Sequence, residues 1–188
     1  CRLIVFKYPP FLKIVSGLVG IYYVGSIYSF VETKKEDFLL SKTTLDTLSP
    51  EIIESLQGEK IVTLITLDAE TKKPHMSVVS WLVAHPSGKL IKFALGHKGT
   101  SVSNLQTNSE VILGVIAGGS YYSVSGKATV SDIIEKTMKY RVVTVEVEVV
   151  EDVIFYGGKI TVEPEYIKTY NEDLAKKLDD EVYTMLRA

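Results

Sequence analysis

Hydroxyl side chains dominate the one stretch where residue type and spacing suggest chemistry, Pro74 to Asn108. Ser77 and Ser80 lie on an alternating strand pattern. A later strand ends Phe93-Ala94-Leu95-Gly96 and leads into His97-Lys98-Gly99-Thr100-Ser101-Val102-Ser103-Asn104, which begins a helix. A helix N-terminus presents unpaired backbone N–H groups and the positive end of the peptide dipole, which suits a phosphate. Thr100, Ser101 and Ser103 add hydroxyl donors there, and Lys98 adds a charge. The same residues also have a plainer role, in which Thr100 or Ser101 is the helix N-cap. The two readings stand side by side.

Elsewhere the chemistry-bearing residues form no recognised set. The chain has no GxGxxG run, phosphate-binding P-loop, nucleophile elbow or HExxH pair. His75, His85 and His97 lack metal-ligand spacing, so no metal is expected. Cys1 is the sole cysteine, which excludes an intrachain disulfide and a thiolate cluster. Glu146 and Glu148 sit at strand spacing and read as a solvated face. Gly157-Gly158 reads as a turn, because no Lys-Ser or Lys-Thr follows it. No residue is singled out as catalytic.

The elements that must position the hydroxyl stretch are mostly strands. With 188 residues, of which 46% are hydrophobic, the chain can bury a sizeable core. Its 21 basic residues are interspersed with 23 acidic ones, for a net charge of −2, so no basic footprint for nucleic acid exists. Ser49-Pro50-Glu51 is a helix start, and the lead-in ends at Gly58. From Lys60 the apolar period shortens to two. Strands are expected over Lys60–Asp68, His75–Ala84, Lys89–Leu95, Glu110–Ala117, Ser120–Val130 and Arg141–Phe155. A helix fills Ser101–Thr107, and a helical excursion is expected around Asp132–Met138. In the last strand Val143, Val145, Val147 and Val149 alternate with Thr144, Glu146, Glu148 and Val150, giving one buried face and one wet face. Asn171 caps a C-terminal helix with Leu174, Leu178, Val182 and Met185 on one stripe. These spacings predict a mainly β protein, a six-stranded antiparallel barrel with short flanking helices and a C-terminal helix. The valine-rich strand would be an aggregation hazard at an edge, so closure or pairing is expected.

The first 31 residues form a segment apart from the 32–188 domain. Ile14 to Val31 contains 18 residues without a charge, after Arg2, Lys7 and Lys13 and before Lys34 and Lys35. It reads as a membrane anchor, as an extension extraneous to the domain, or as an uncleaved signal segment. A cytoplasmic location is expected, with membrane tethering as the alternative if this segment is a native anchor.

The order of motifs in the domain resembles the pyridoxamine 5′-phosphate oxidase-like family, the FMN-binding split barrels. The resemblance is carried by Ile61–Asp68, Pro74–Trp81, Gly88–Leu95, Asn104–Val111 and Val124–Val130, and extends to Tyr156-Gly157-Gly158 and Pro164-Glu165-Tyr166. It implies a homodimer with FMN at the interface and a small-molecule substrate. It further implies that Ser77, Val78, Val79, Ser80 and Trp81 run along the flavin, that Ala94, Leu95, Lys98, Thr100 and Ser101 take the ribityl chain and phosphate, and that Tyr121 makes a polar contact. Two cations common in the family are replaced here: Ser101 stands where a Lys is usual, and no Arg lies near Ser77. The implied function is a flavin-dependent oxidoreductase; the alternative is a non-catalytic flavin- or haem-binding or stress-response protein on the same barrel.

Overall fold

The computed structural model describes residues 44–188. The apolar segment 14–31 lies outside the described residues, among which no helix is long and apolar enough to cross a membrane. The described chain opens with α1 (Pro50–Ser55), and Ser49 is its N-cap: the Ser49 hydroxyl accepts from the Ile52 N–H, and Pro50 occupies the first turn. Ile52 and Leu56 are fully buried and anchor this short helix on the barrel.

Eight strands follow rather than six: β1 (Val62–Leu67), β2 (Pro74–Val79), β3 (Leu82–Ala84), β4 (Leu90–Gly96), β5 (Glu110–Ala117), β6 (Ser120–Val130), β7 (Ile134–Glu135) and β8 (Lys139–Asp152). Helix α2 (Thr100–Thr107) lies between β4 and β5, and α3 (Glu172–Arg187) ends the chain. All pairings are antiparallel, in the order β2-β1-β5-β6-β8-β4-β3, with β7 hairpinned onto β8. The two outermost strands, β2 and β3, are consecutive in sequence and joined only by Ser80 and Trp81. The sheet therefore curls into a half-barrel whose edges approach each other.

The count differs from six for two physical reasons. His75–Ala84 breaks at Ser80-Trp81, where the inward parity changes from Val79 to Leu82, both buried in the core. A strand keeping one parity would have turned Leu82 outward. The expected helical excursion at 132–138 is instead the small β7 hairpin, with Ile134 opposite Tyr140.

The valine-rich strand β8 lies between β6 and β4, so both its edges are paired. Its alternation holds through Val143, Val145 and Val147 and then reverses: Val150 is 2% exposed, and Val149 is only half-buried. The cause is a bulge. Gly126 faces Val147 and Ser125 faces Val149, leaving Glu148 as an extra residue that flips the parity beyond it. A Cβ at Gly126 would stand 2.0 Å from the Glu146 carbonyl oxygen, so only glycine permits this approach.

The core gathers Leu64, Leu82, Ile91, Phe93, Leu113 and Val145 within the barrel. Beneath α3 lies a separate apolar cluster built on Val83, Ala94, Tyr140, Val182, Tyr183 and Leu186. The apolar stripe of α3 is rotated from the expected one. Ala175, Leu178, Val182, Tyr183 and Leu186 are buried, whereas Leu174 is exposed and Met185 only partly covered.

Gly126→Ala should lower stability to urea by about 1–3 kcal/mol, the usual cost of forcing volume into a filled space. Gly58→Ala adds a methyl with nothing within 4 Å and should change stability by less than about 0.5 kcal/mol. Equal unfolding midpoints for the two variants would contradict the bulge assignment.

Candidate functional site

Strand β4 ends at Gly96, and the turn through Gly99 starts α2. The N-cap is Gly99, not Thr100 or Ser101, and it supplies no side-chain cap. The Val102 N–H donates to the Gly99 carbonyl at 2.9 Å, so the donors that no cap side chain occupies are the N–H groups of Thr100 and Ser101. Ser101, 6% exposed, turns inward, and its hydroxyl lies 2.9 Å from that of Ser77 on β2. One turn later Asn104, 1% exposed, locks the helix. Its amide donates to the Thr66 hydroxyl at 3.0 Å, and its carbonyl oxygen accepts from the Ala69 N–H at 3.0 Å. Ser101 and Asn104 are three apart and so share one helix face. The Ser103 hydroxyl turns back and donates to the Thr100 carbonyl, while Thr100 and Lys98 are exposed beside the turn.

Two further polar side chains border this end of the barrel, and sequence reasoning named neither for an anion. Arg141 on β8 lies opposite Leu95 and shares the inward parity of Val143. It donates through one terminal nitrogen to the Ser131 carbonyl, while its Nε is buried without a protein partner. His75, opposite Thr66, likewise buries its Nδ1 without a partner. The signal for Arg141 was a cation at the start of the valine-rich strand, on the parity of Val143, Val145 and Val147.

The remaining expected residues fall in three other places. The Val79 side chain is in the barrel core. Val78 faces outward and pairs with Thr63, and its neighbour Met76 pairs with Ile65. With Ile112, these form an apolar outer sheet face on which Met76 is 71% and Val78 59% exposed. Tyr121 borders that face, its hydroxyl 3.2 Å from that of Thr63. The ring lies where a Cβ on Gly114 would come within 2.4 Å of the Tyr121 oxygen. Leu95 packs against the barrel core.

Ser80, Trp81 and Ala94 lie under α3. The Trp81 indole N–H donates to Asp179 at 2.7 Å, and the Tyr183 hydroxyl donates to the Ser80 carbonyl at 3.3 Å. Asp179 is ion-paired with Lys168, which also holds Glu59 at 2.6 Å. Burial pushes the Asp179 carboxyl up, but the Lys168 ammonium and the Trp81 indole outweigh it and hold the group below its ordinary value near 3.8. Burial pulls the Lys168 ammonium down, and its bonds to Asp179 and Glu59 more than reverse this. Burial raises the Tyr183 hydroxyl far above the usual phenol range. A groove of about 520 Å³ runs along Glu59, Lys60 and Val162–Tyr166, and none of the expected site residues lines it.

No family model and no curated protein matches the chain. Among solved structures, a candidate pyridoxamine 5′-phosphate oxidase from Lactobacillus delbrueckii superposes with a TM-score of 0.50 at 18% identity, over 58% of this chain and 97% of that one. HupZ of Group A Streptococcus gives 0.49 at 12% identity, over 61% and 99%. The first likeness shows that this chain has the split-barrel fold of pyridoxamine 5′-phosphate oxidase-like proteins.

Trp81 is the sole tryptophan, so its emission reports the Asp179 contact directly. A depressed carboxyl contributes stability above its unfolded pKa and loses it as pH falls through the lower folded value. Trp81 emission should therefore hold constant from pH 7 to about the ordinary carboxyl value near 3.8 and change only below it. An earlier change, centred at pH 5 or above, would show that the ion pair does not govern the indole.

Proposed function

We propose that the chain is a flavin-binding split-barrel protein that binds FMN and acts as an oxidoreductase on a small-molecule substrate. The observation that carries this reading is the junction of Ser77 with Ser101 in the uncapped first turn of α2. Hydroxyl donors, unpaired backbone N–H groups and the helix dipole converge there on one small space, which suits a phosphate. The residues present fit an anion in one further respect. Arg141 carries a buried Nε with no protein partner, and it stands in for the cations missing at Ser101 and near Ser77. Lys98 is an exposed second charge beside the same turn.

FMN, when bound, supplies the electron-transfer chemistry, and the protein supplies binding, orientation and exclusion of water. In this reading Ser77, Thr100, Ser101, Lys98 and Arg141 hold the phosphate end, with Leu95 beside it. The planar ring meets the Ser80–Trp81 and Ala94 wall. The exposed Met76, Val78 and Ile112 face, with Tyr121 at its border, is covered by a second copy of the chain, because an apolar sheet face of this kind favours burial. Only the edge of the flavin nearest Ser77 then approaches the second protomer. A carrier role is the second reading, and His75 favours it, since its Nδ1 has no partner within the protein.

Titration of the purified full chain with FMN should show saturable flavin quenching in a dimer. Arg141→Gln removes a charged donor, worth about 1.5–3 kcal/mol in such bonds, and should weaken FMN by roughly tenfold to a hundredfold. Ser77→Ala combined with Ser101→Ala should weaken it by about the same factor. A colourless protein indifferent to FMN would end the flavin reading, and a sharp haem band on adding haem would favour the carrier.

A further inference from the structure

The C-terminal helix sits on the barrel without belonging to its core. Every buried residue of the barrel core precedes Glu151, and α3 contributes only to the second apolar cluster. The barrel is thus filled whether or not α3 is in place. What α3 covers is also unusual for a permanent interface. The Tyr140 side chain is fully buried beneath it, and its hydroxyl has no hydrogen-bond partner. An unmade bond of this kind opposes closure.

Polar contacts then hold the helix down at its margins. Lys168, whose side chain is 16% exposed, joins Asp179 of α3 to Glu59 of the α1–β1 connection. The Tyr166 hydroxyl donates to the same Glu59 at 2.8 Å, and the Trp81 indole donates to the same Asp179. At the opposite side Glu181 accepts from the Thr137 hydroxyl and N–H, and Arg187 donates to the Gln57 carbonyl at 3.2 Å. The segment from Val153 to Tyr170 that leads to α3 has neither helix nor strand. It turns at Gly157, which has φ +76° and open space around it. Phe155, Val162 and Ile167 along it are more than three-quarters exposed. The strap is tied to the barrel by the Val153 and Ile160 N–H groups, which donate to the Tyr121 and Gly119 carbonyls, and beyond Ile160 by Lys168, Tyr166 and the Lys60–Glu163 pair.

We propose that α3 is a displaceable cover over the wall formed by Ser80, Trp81 and Ala94, latched by Lys168 between Glu59 and Asp179, and that a planar aromatic ligand reaches this wall when the latch opens. The ligand half rests on the flavin reading given above; the cover half does not. Lys168 acts through Asp179 on Trp81 and is a positioning residue, touching no ligand itself. Opening returns the Lys168 ion pairs, whose members are 16–36% exposed, to water, where each group is solvated again. It also frees an unpaired hydroxyl, so it is a local event that leaves the barrel core closed.

Hydrogen exchange on the full chain tests the cover without any ligand. In Lys168→Met the amides of Leu174–Leu186 should exchange about tenfold faster, while those of Val143–Val147 in β8 keep their rates. Trp81 emission should shift to the red in the same variant, and Lys168→Arg should restore both readings. Asp179→Asn keeps an acceptor for the indole but loses the charge, and it should show the same selective exchange. Acceleration of α3 and β8 together, or of neither, would overturn the cover. FMN association should then be about tenfold faster in Lys168→Met. Selective opening with an unchanged FMN rate, or with no FMN binding, would keep the cover and remove the flavin from this wall.

Discussion

Two residues carry the chain from one end of the sheet to the other, and the architecture depends on that shortness. Val79 ends one outermost strand, Leu82 begins the other, and Ser80-Trp81 is the whole connection. Three Cα steps span no more than about 11 Å. A sheet whose extreme strands are held that close must curl, and curling creates an interior for Leu64, Phe93, Leu113 and Val145. The same two residues also shift the inward parity, so Leu82 joins the core on the far side of the break. Closure and the bend at Ser80-Trp81 are one event.

Curvature needs a second device on the opposite side. The extra residue Glu148 in β8 and the close passage of Gly126 over the Glu146 carbonyl supply it. The bulge sends Val150 rather than Val149 inward, where its backbone bridges to Leu45 ahead of α1. Helix α2 then fills the barrel end formed by β1, β4 and β6. It is placed there by a polar link, Asn104 to Thr66 and Ala69, and by the Ser77–Ser101 contact, rather than by apolar packing alone. Polar groups buried this deeply fix one orientation, because any other would leave them unpaired.

This construction divides the residues that the family resemblance grouped together. Strand alternation alone separates Ser77, which faces α2, from Val78, which faces outward. The break after Val79 turns Ser80 and Trp81 to a third surface, under α3. These residues therefore lie on three surfaces, which meet along the rim of the barrel from α2 past the bend.

Much of this was legible in residue order, and the reasons are local. Ser49-Pro50 marks a helix start because a hydroxyl and a fixed φ act within one turn. The strand runs around Leu64, Phe93, Leu113, Val124 and Val145 show a two-residue period that any half-buried strand imposes. Together they determined a mainly antiparallel barrel with a hydroxyl-rich helix start after its Lys89–Leu95 strand. What they left open depends on partners distant in the chain. Whether Ser80-Trp81 continues a strand or bends it is settled by β4 and α3, more than ten and ninety residues away. The face that α3 buries follows the shape of Val83, Ala94 and Tyr140 beneath it rather than its own stripe. A cation was sought near Ser101 in sequence, whereas the fold brings Arg141 to the end of β4 from a different strand. Local patterns specify elements because their causes lie within a few residues; tertiary structure alone decides which side chains meet, because pairing register and curvature are properties of the closed sheet.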